Sequence, residues 1–440
     1  MTMAERAPHG PLAPDEHPEH LRWNCAVIAL TSVVYMFALA LVEPNTVMPV
    51  LVSRLTRSPI AVGALGAIGT AGWLLPQLLA ARHLSHRERK KGFMVWACLV
   101  TRFPLLALLA ALMLAPSRPA LVLAVLFLAF AIFELGEGAG DVAWTDIVAK
   151  AIPDRLRGRL FAFSDILGGL AAAGAGIIVK RVLENPAIAY PRNYALLVSL
   201  MFALMMVAVV VLAAMREPIR PVMEEETRFA QLVRQIPEML RRRPALVRLL
   251  ALQYVLAASM MAAPFYVVYA TRHLSVPEGM VGTFVSVQML AGMAGGLVVG
   301  YLNDHVGTTS AIRLGAVAAV AIPLVALVVP ALSAGPLAGL WLWCYSLVFV
   351  FMGVVFRAWI AHMNFLLESV SHRERAAYIG VMNTLAAAEC AFPLLGGWIA
   401  GAGSYPALFA VSLVCAVAAV ALSLALKDPR AQSAGEIARP

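Results

Sequence analysis

Charge is scarce in this chain. Only 13% of its 440 residues are Asp, Glu, Lys or Arg, while 61% are apolar. An ordinary soluble domain carries about a quarter charged residues and about half apolar ones. A soluble fold of this length cannot hide so much apolar surface, so the composition excludes the soluble globular class and leaves lipid as the solvent. Cysteine is scarce too. Cys25, Cys98, Cys344, Cys390 and Cys415 stand singly, mostly inside apolar runs. With no CxxC and no Cys/His cluster they read as small packing residues, which argues against a disulfide framework and a metal site.

Other absences narrow the function classes. No GxGxxG follows a strand and no GxxxxGK[ST] occurs, so nothing cradles a phosphate and ATP cannot drive the chain from within. No nucleophile–base constellation is visible: Ser164-Asp165 is an isolated pair, and His83 and His86 sit in an arginine-rich loop, a poor place to hold a cation. An enzyme is therefore not expected, and neither is a cofactor. The formal net charge is +9, but the basic residues fall between long apolar runs, which reads as membrane topology and not as nucleic-acid binding. The residues through His20 are rich in Pro, His and acid and lack the layout of a cleaved signal. They are expected to form a cytoplasmic tail (1–22), with the first span as the insertion signal.

What the chain does have is apolar segments of spanning length. About twenty apolar residues cross a bilayer as a helix. Candidates are 23–44, 60–82, 93–115, 119–147, 161–181, 194–215, 247–270, 280–301, 311–330, 337–364, 375–400 and 405–426. With the N-terminus inside, Lys and Arg divide 25 to 7 between inside and outside segments, and Arg102 and Arg357 lie within helices. A missed or extra helix would scramble that bias. The expected topology is a multi-pass protein of the inner (plasma) membrane with both termini cytoplasmic.

The longest hydrophilic stretch, 216–246, divides a bundle over 23–215 from one over 247–426, followed by a tail over 427–440. It carries Glu224, Glu225 and Glu226, then an apolar stripe of Phe229, Leu232, Val233 and Ile236, then Arg241, Arg242 and Arg243. Acids first and bases last suit a helix dipole. The stripe predicts a helix lying on the inner membrane face, which Pro237 ends or kinks.

The halves repeat weakly. Ala143-Trp144 before Arg157-Gly158-Arg159 matches Ala358-Trp359 before Arg373-Glu374-Arg375. Leu170-Ala-Ala-Ala173 matches Leu385-Ala-Ala-Ala388, and Val62-Gly63 matches Val281-Gly282. Matches in the same order argue for a duplication of six helices, a known plan of transporters with the substrate site between the halves. Gly63, Gly66, Gly69 and Gly72, then Gly168, Ala172 and Gly176, then Gly292, Gly296 and Gly300 recur every third or fourth residue. Such spacing allows close helix packing.

Ionisable groups inside the spans are functional candidates, because each costs a few kcal/mol to place there. Glu134, Glu137 and Asp141 fall at i, i+3 and i+7 of the fourth span, on one face. Asp141 and Asp146 could instead satisfy loop bases at the inner interface. Arg102 and Arg357 are the intramembrane arginines. Glu389 sits centrally in the eleventh span, one turn before Pro393. Glu43 ends the first span at the outer interface. Asp165 is expected to pair with Arg157 or Arg159, and Arg357 with a helix-four acid. His362 could relay a proton, since its unperturbed pKa is near neutral; near its helix end it could equally be interfacial. Gln253, Tyr254 and Asn364 could orient a ligand, and Tyr266 and Tyr269 could belong to an outer aromatic belt.

The loop Gly300-Tyr-Leu302-Asn-Asp304-His-Val-Gly307 is similar to the Gly-x-Leu-x-Asp-Arg-x-Gly signature of the major facilitator superfamily, with His305 where Arg is usual. The first-half loop, Arg82-His-Leu84-Ser-His86-Arg87-Glu-Arg89-Lys90-Lys91, keeps the leucine and the basic tail, but His86 replaces the aspartate. Thr46-Val-Met-Pro49 and Gly72-Trp73-Leu-Leu-Pro76-Gln77-Leu78 resemble a bacterial subgroup of that superfamily. The resemblance implies an all-α membrane protein of twelve helices in two pseudo-symmetric six-helix bundles, with helices one, four, seven and ten lining a central cavity. It implies a gating role for Gly300, Asp304, Gly307, Arg87, Arg157 and Arg159. The expected function is secondary active, proton-coupled transport of a small solute by rocker-switch alternating access, export of drug-like or metabolite solutes coming first. A uniporter or uptake permease without proton coupling, and a sensor or scaffold on the same fold, stay open. The expected partners are a small-molecule substrate, protons and the lipid bilayer, with no nucleic acid, for a monomer.

Overall fold

Apolar runs in a medium without water must satisfy their backbone internally, and helices do so. The computed structural model describes residues 19–219, 229–334, 340–371 and 374–430. Among them are 12 helices long and apolar enough to cross a membrane. In chain order, helices one to six are Leu21–Ala40, Pro59–Ser85, Lys91–Leu114, Pro119–Ala151, Asp154–Glu184 and Arg192–Ala213. Helices seven to twelve are Pro244–Arg272, Met280–His305, Thr308–Leu332, Trp341–Ser369, Tyr378–Ala402 and Tyr405–Leu424. The even number puts Leu21 and Leu424 on one face, called here the terminal face. A short helix, Val47–Leu55, lies on the opposite face.

Several helices outrun the expected spans. Helix five begins at Asp154, directly after Pro153, because its first turns are charged and hydropathy sees only the apolar part. Helix one stops earlier, at Ala40, where a turn through Pro44 leads into Val47–Leu55. Prolines open or break the spans: helix three at Phe103–Pro104, and helix seven through a 3-10 turn at Met260–Ala262 before Pro264. Pro237 does not end its helix, which runs Phe229–Arg242. That helix touches the second half, where the Tyr378 hydroxyl donates to the Met239 carbonyl at 3.1 Å. Glu224, Glu225, Glu226 and Arg373 lie outside the described residues.

Helix two packs against helix four and, on its other side, against helix eleven. Helix five packs against helices one and eight, and helix eight against helix ten. The seams between halves are thus two–eleven and five–eight. Their closeness comes from glycine. A Cβ on Gly282 would lie 2.2 Å from the Lys180 nitrogen and 2.3 Å from the Gly176 carbonyl oxygen, and one on Gly63 2.2 Å from the Pro393 carbonyl oxygen. Gly69 and Gly72 instead seat helix four, at Phe130 and Glu134. Gly292 and Gly296 face helix ten at Gly353 and Arg357, whereas Gly300 meets nothing within 4 Å.

Gly282→Val therefore forces backbone against backbone at the five–eight seam. Overpacking costs about 1–3 kcal/mol, so thermal unfolding in detergent should fall by several degrees. Gly174→Ala, where nothing lies within 4 Å of the added Cβ, should leave it unchanged.

Candidate functional site

Helix four carries the acidic face. Glu137 forms an ion pair with the Arg102 Nη2 of helix three. Arg102 is 3% exposed; its Nη1 donates to Thr101 Oγ1 at 3.2 Å and its guanidinium lies 5.3 Å from the Phe133 ring centroid. Tyr35 of helix one lines the same cavity as Glu137. The glycines between the acids make room: a Cβ on Gly136 would collide with Thr101, and one on Gly138 with the Trp73 carbonyl.

Arg102 and Glu137 line a cavity of about 230 Å³ together with Asp141, Tyr35, Met36, Trp73 and Trp144. Its walls come from helices one, two, three, four and six, so it lies within the first half. Among the described residues, Glu134 and Asp141 have no ion-pair or hydrogen-bond partner. Arg102 thus answers one acid of the stripe, Glu137; Asp141 shares the cavity with that pair, and Glu134 lies against Gly72 of helix two, outside the lining. Asp146, at the terminal end of helix four, is held by Lys90 at 3.0 Å and Lys150 at 2.7 Å.

The other candidates separate into distinct places. Arg357 does not meet a helix-four acid. Its Nη1 lies 3.1 Å from Asp165 Oδ2 of helix five, across the halves, with side chains 23% and 40% exposed. Arg157 is not available to Asp165: its Nη2 pairs with Asp154 at 2.7 Å and donates to the carbonyls of Ala149 and Ile152, closing the end of helix four. Glu43 is not at an open interface. It is 5% exposed and accepts from the Asn45 nitrogen at 2.7 Å, Thr46 Oγ1 at 2.8 Å and, across the halves, Gln288 Nε2 at 3.3 Å. The turn at Pro44 folds it beneath Val47–Leu55.

In the second half, Glu389 lies in a 3-10 turn of helix eleven at Ala387–Cys390, 8% exposed, with a buried Oε1 lacking a hydrogen-bond partner. Tyr254 spends its hydroxyl on the Leu385 carbonyl at 2.6 Å. Gln253 is buried beside it on helix seven. His362 is 3% exposed and tilted against Trp359 at 5.0 Å, in the core and not at an interface. Tyr266 is core as well, stacked on Phe409 at 4.6 Å, and not part of a belt.

Of the loop residues, Gly307 has φ +123°, and Asp428 approaches the place its Cβ would take. Asp428 also accepts from Thr309 Oγ1 at 3.3 Å, and Arg430 pairs with Glu368 at 2.6 Å. The segment after helix twelve thus ties the starts of helices nine and the end of ten. Asp304, Arg87 and Arg159 are exposed on the terminal face. At the terminal end of helix eleven, Ser371 Oγ donates to Glu374 at 2.7 Å and Arg243 at 3.2 Å, and these hold its carboxyl below the usual range.

Sequence reading missed the contacts that join the halves at the face opposite the termini. Arg54 Nε donates to Glu278 at 2.8 Å, and Arg272 to Ser53 Oγ at 3.2 Å. Ser286 Oγ donates to the Ala173 carbonyl at 2.8 Å, and deeper down Asn383 Nδ2 donates to Gln77 Oε1 at 3.3 Å. The lone amides Gln77, Gln288 and Asn383 within apolar helices were the available signal.

Comparison with known proteins agrees with this architecture. No individual curated protein sequence matches the chain significantly. A structure of the nucleoside transporter NupG superposes with a TM-score of 0.64 at 14% identity, covering 91% of this chain and 98% of that one. A D-xylose-proton symporter gives 0.65 at 13% identity, covering 91% and 97%. A bacterial homologue of the iron transporter ferroportin in an inward-facing state gives 0.65 at 14%, covering 92% and 98%. The family model described as Major Facilitator Superfamily matches residues 28–392. With the twelve apolar helices, the paired seams and that match over most of its length, this chain is a multi-pass membrane protein that belongs to the major facilitator superfamily, a family of small-solute transporters.

Proposed function

We propose that the chain is a proton-coupled secondary active transporter of a small solute, working by rocker-switch alternating access. The observation that carries the reading is the imbalance on helix four: Glu137 is answered by Arg102, while Glu134 and Asp141 have no partner. A carboxylate without a cation in an apolar bundle is costly as an anion. It is stabilised by taking a proton or by binding a cationic or hydrogen-bonding solute. Both alternatives compete for the same oxygens, and that competition is what couples proton movement to solute movement. The similarity to a proton symporter fits this reading. The acid excess favours cationic or polar solutes.

The Lys and Arg bias supports cytoplasmic termini in the plasma membrane. Three of the polar contacts joining the halves, Glu43–Gln288, Arg54–Glu278 and Arg272–Ser53, lie toward the face opposite the termini and then form an outer gate. Opening outward requires those contacts to break. Asp165–Arg357 lies about 16 Å along helix five from Asp154, at 1.5 Å per residue, close to where the halves would pivot. Outward movement of solute against inward movement of protons is the direction to test first.

Two outcomes follow. In proteoliposomes holding a solute found by a panel screen, Glu134→Gln and Asp141→Asn should each reduce transport driven by a pH gradient at least tenfold, while solute exchange without a gradient continues. Undiminished gradient-driven transport in both variants would falsify proton coupling through helix four. Arg357→Ala should cripple transport at normal expression, and the exchanged pair Asp165→Arg with Arg357→Asp should recover part of it. Full activity of Arg357→Ala removes the pivot role.

A further inference from the structure

A second cavity, of about 750 Å³, opens on the terminal face at the turn between helices two and three. His83, Arg87, Arg89, Lys91, Phe93 and Trp96 line it. We propose that it binds the phosphate headgroup of an anionic phospholipid, whose acyl chains run along helix three.

The charge on this face is sorted into committed and uncommitted groups. Lys90 is held by Asp146 at 3.0 Å. Lys91 Nζ donates to the carbonyls of Ala213 and Met215 at 3.2 and 2.9 Å, closing the end of helix six. Glu217, the acid in the lining, is already engaged: its oxygens accept from the backbone nitrogens of Lys90 and Lys91 at 2.9–3.0 Å. Arg87 and Arg89 remain. Both are exposed, both face the cavity, and among the described residues neither side chain has an ion-pair or hydrogen-bond partner. Glu88, between them, is not part of the lining. A pair of uncommitted guanidiniums in one concavity fits a phosphate, which each can engage through two N–H groups.

The apolar side of the cavity selects a lipid over a soluble phosphate. His83 and Phe93 pack ring against ring at 5.7 Å and floor it. Trp96 is 65% exposed at its membrane side, where an amphipathic ring suits the headgroup level. Val100 and Phe103 continue the exposed stripe at 55% and 50%, at i+4 and i+7 from Trp96, on one helical face. Gly92 has nothing within 4 Å of a Cβ position and keeps the wall between the basic rim and this stripe open. A soluble phosphate makes no use of that stripe, whereas an acyl chain does.

The test is native mass spectrometry of the full chain in neutral detergent, titrated with phosphatidylglycerol or phosphatidylcholine. Phosphatidylglycerol should bind tighter, and Arg87→Gln with Arg89→Gln should weaken it about 10- to 30-fold, as expected for two basic side chains near an anionic headgroup, without changing phosphatidylcholine binding. Arg87→Lys with Arg89→Lys should restore only part of the affinity, because an ammonium keeps the charge and loses the two-pronged contact. Gly92→Trp should weaken phosphatidylglycerol with every charge intact. Equal binding of the two lipids, or wild-type phosphatidylglycerol binding in the double glutamine variant, overturns the proposal. So does glycerol 1-phosphate binding as tightly as phosphatidylglycerol, which would make the ligand a soluble phosphate.

Discussion

A guanidinium at 3% exposure inside a helical bundle has to be answered by an anion, and in this protein Glu137 answers Arg102. Removing one partner of such a pair leaves a buried charge uncompensated, at a cost of about 3–5 kcal/mol. That cost binds helix three to helix four at mid-membrane. It also fixes what the rest of helix four can do. With Glu137 occupied, Glu134 and Asp141 remain as groups whose charge nothing among the described residues balances. The stripe is therefore an ion pair flanked by two carboxyls without a partner among the described residues, and not three equivalent acids.

The contacts between the halves are of two kinds, and the distinction matters for motion. The seams rest on glycine and backbone, at Gly63 against Pro393 and at Gly176 against Gly282. At those positions backbone approaches backbone, while neighbouring side chains such as Met293 over Gly169 and Ser286 at Ala173 still cross the five–eight seam. The polar contacts near Val47–Leu55 are specific to one relative placement of the halves. On the rocker-switch mechanism proposed above, a ligand needs to supply only the difference in free energy between the states. The two halves also contribute unequally. The first holds Arg102, Glu137 and the cavity, while the second offers Arg357 to an acid of the first half and keeps Glu389 without a partner for Oε1.

How much of this was legible follows from what periodicity encodes. Spacing along a helix gives depth and face, so the spans and the shared face of Glu134, Glu137 and Asp141 could be read directly. Alternating loop charge gave an expected orientation. Spacing says nothing about which helix stands opposite. Arg357 was therefore assigned an acid at matching depth on helix four, when helix five supplies Asp165. Glu43 illustrates a second limit. Hydropathy ends a span at the first polar residue, but the turn through Pro44 folds that residue back under Val47–Leu55, where Asn45, Thr46 and Gln288 receive it. Tyr266 and His362 illustrate a third: an amphipathic ring near a helix end suits a belt or a core equally, and packing against Phe409 or Trp359 decides.

The acidic cavity and the cross-half ion pair are joined by contiguous packing. Met36 lines the cavity beside Tyr35 and Glu137. Its sulfur lies 2.4 Å from where a Cβ of Gly168 would stand. Gly168 is one helical turn from Asp165, which holds Arg357 of the second half. Helix five presents backbone and no side chain at that position, so Met36 packs directly against the helix. On the proposed mechanism, whatever occupies the cavity next to Glu137 touches a residue seated on helix five, whose Asp165 holds the other half. A chain of contacts from the acidic pocket of one half to an ion pair between the halves thus runs through a methionine and a glycine, neither of which carries charge.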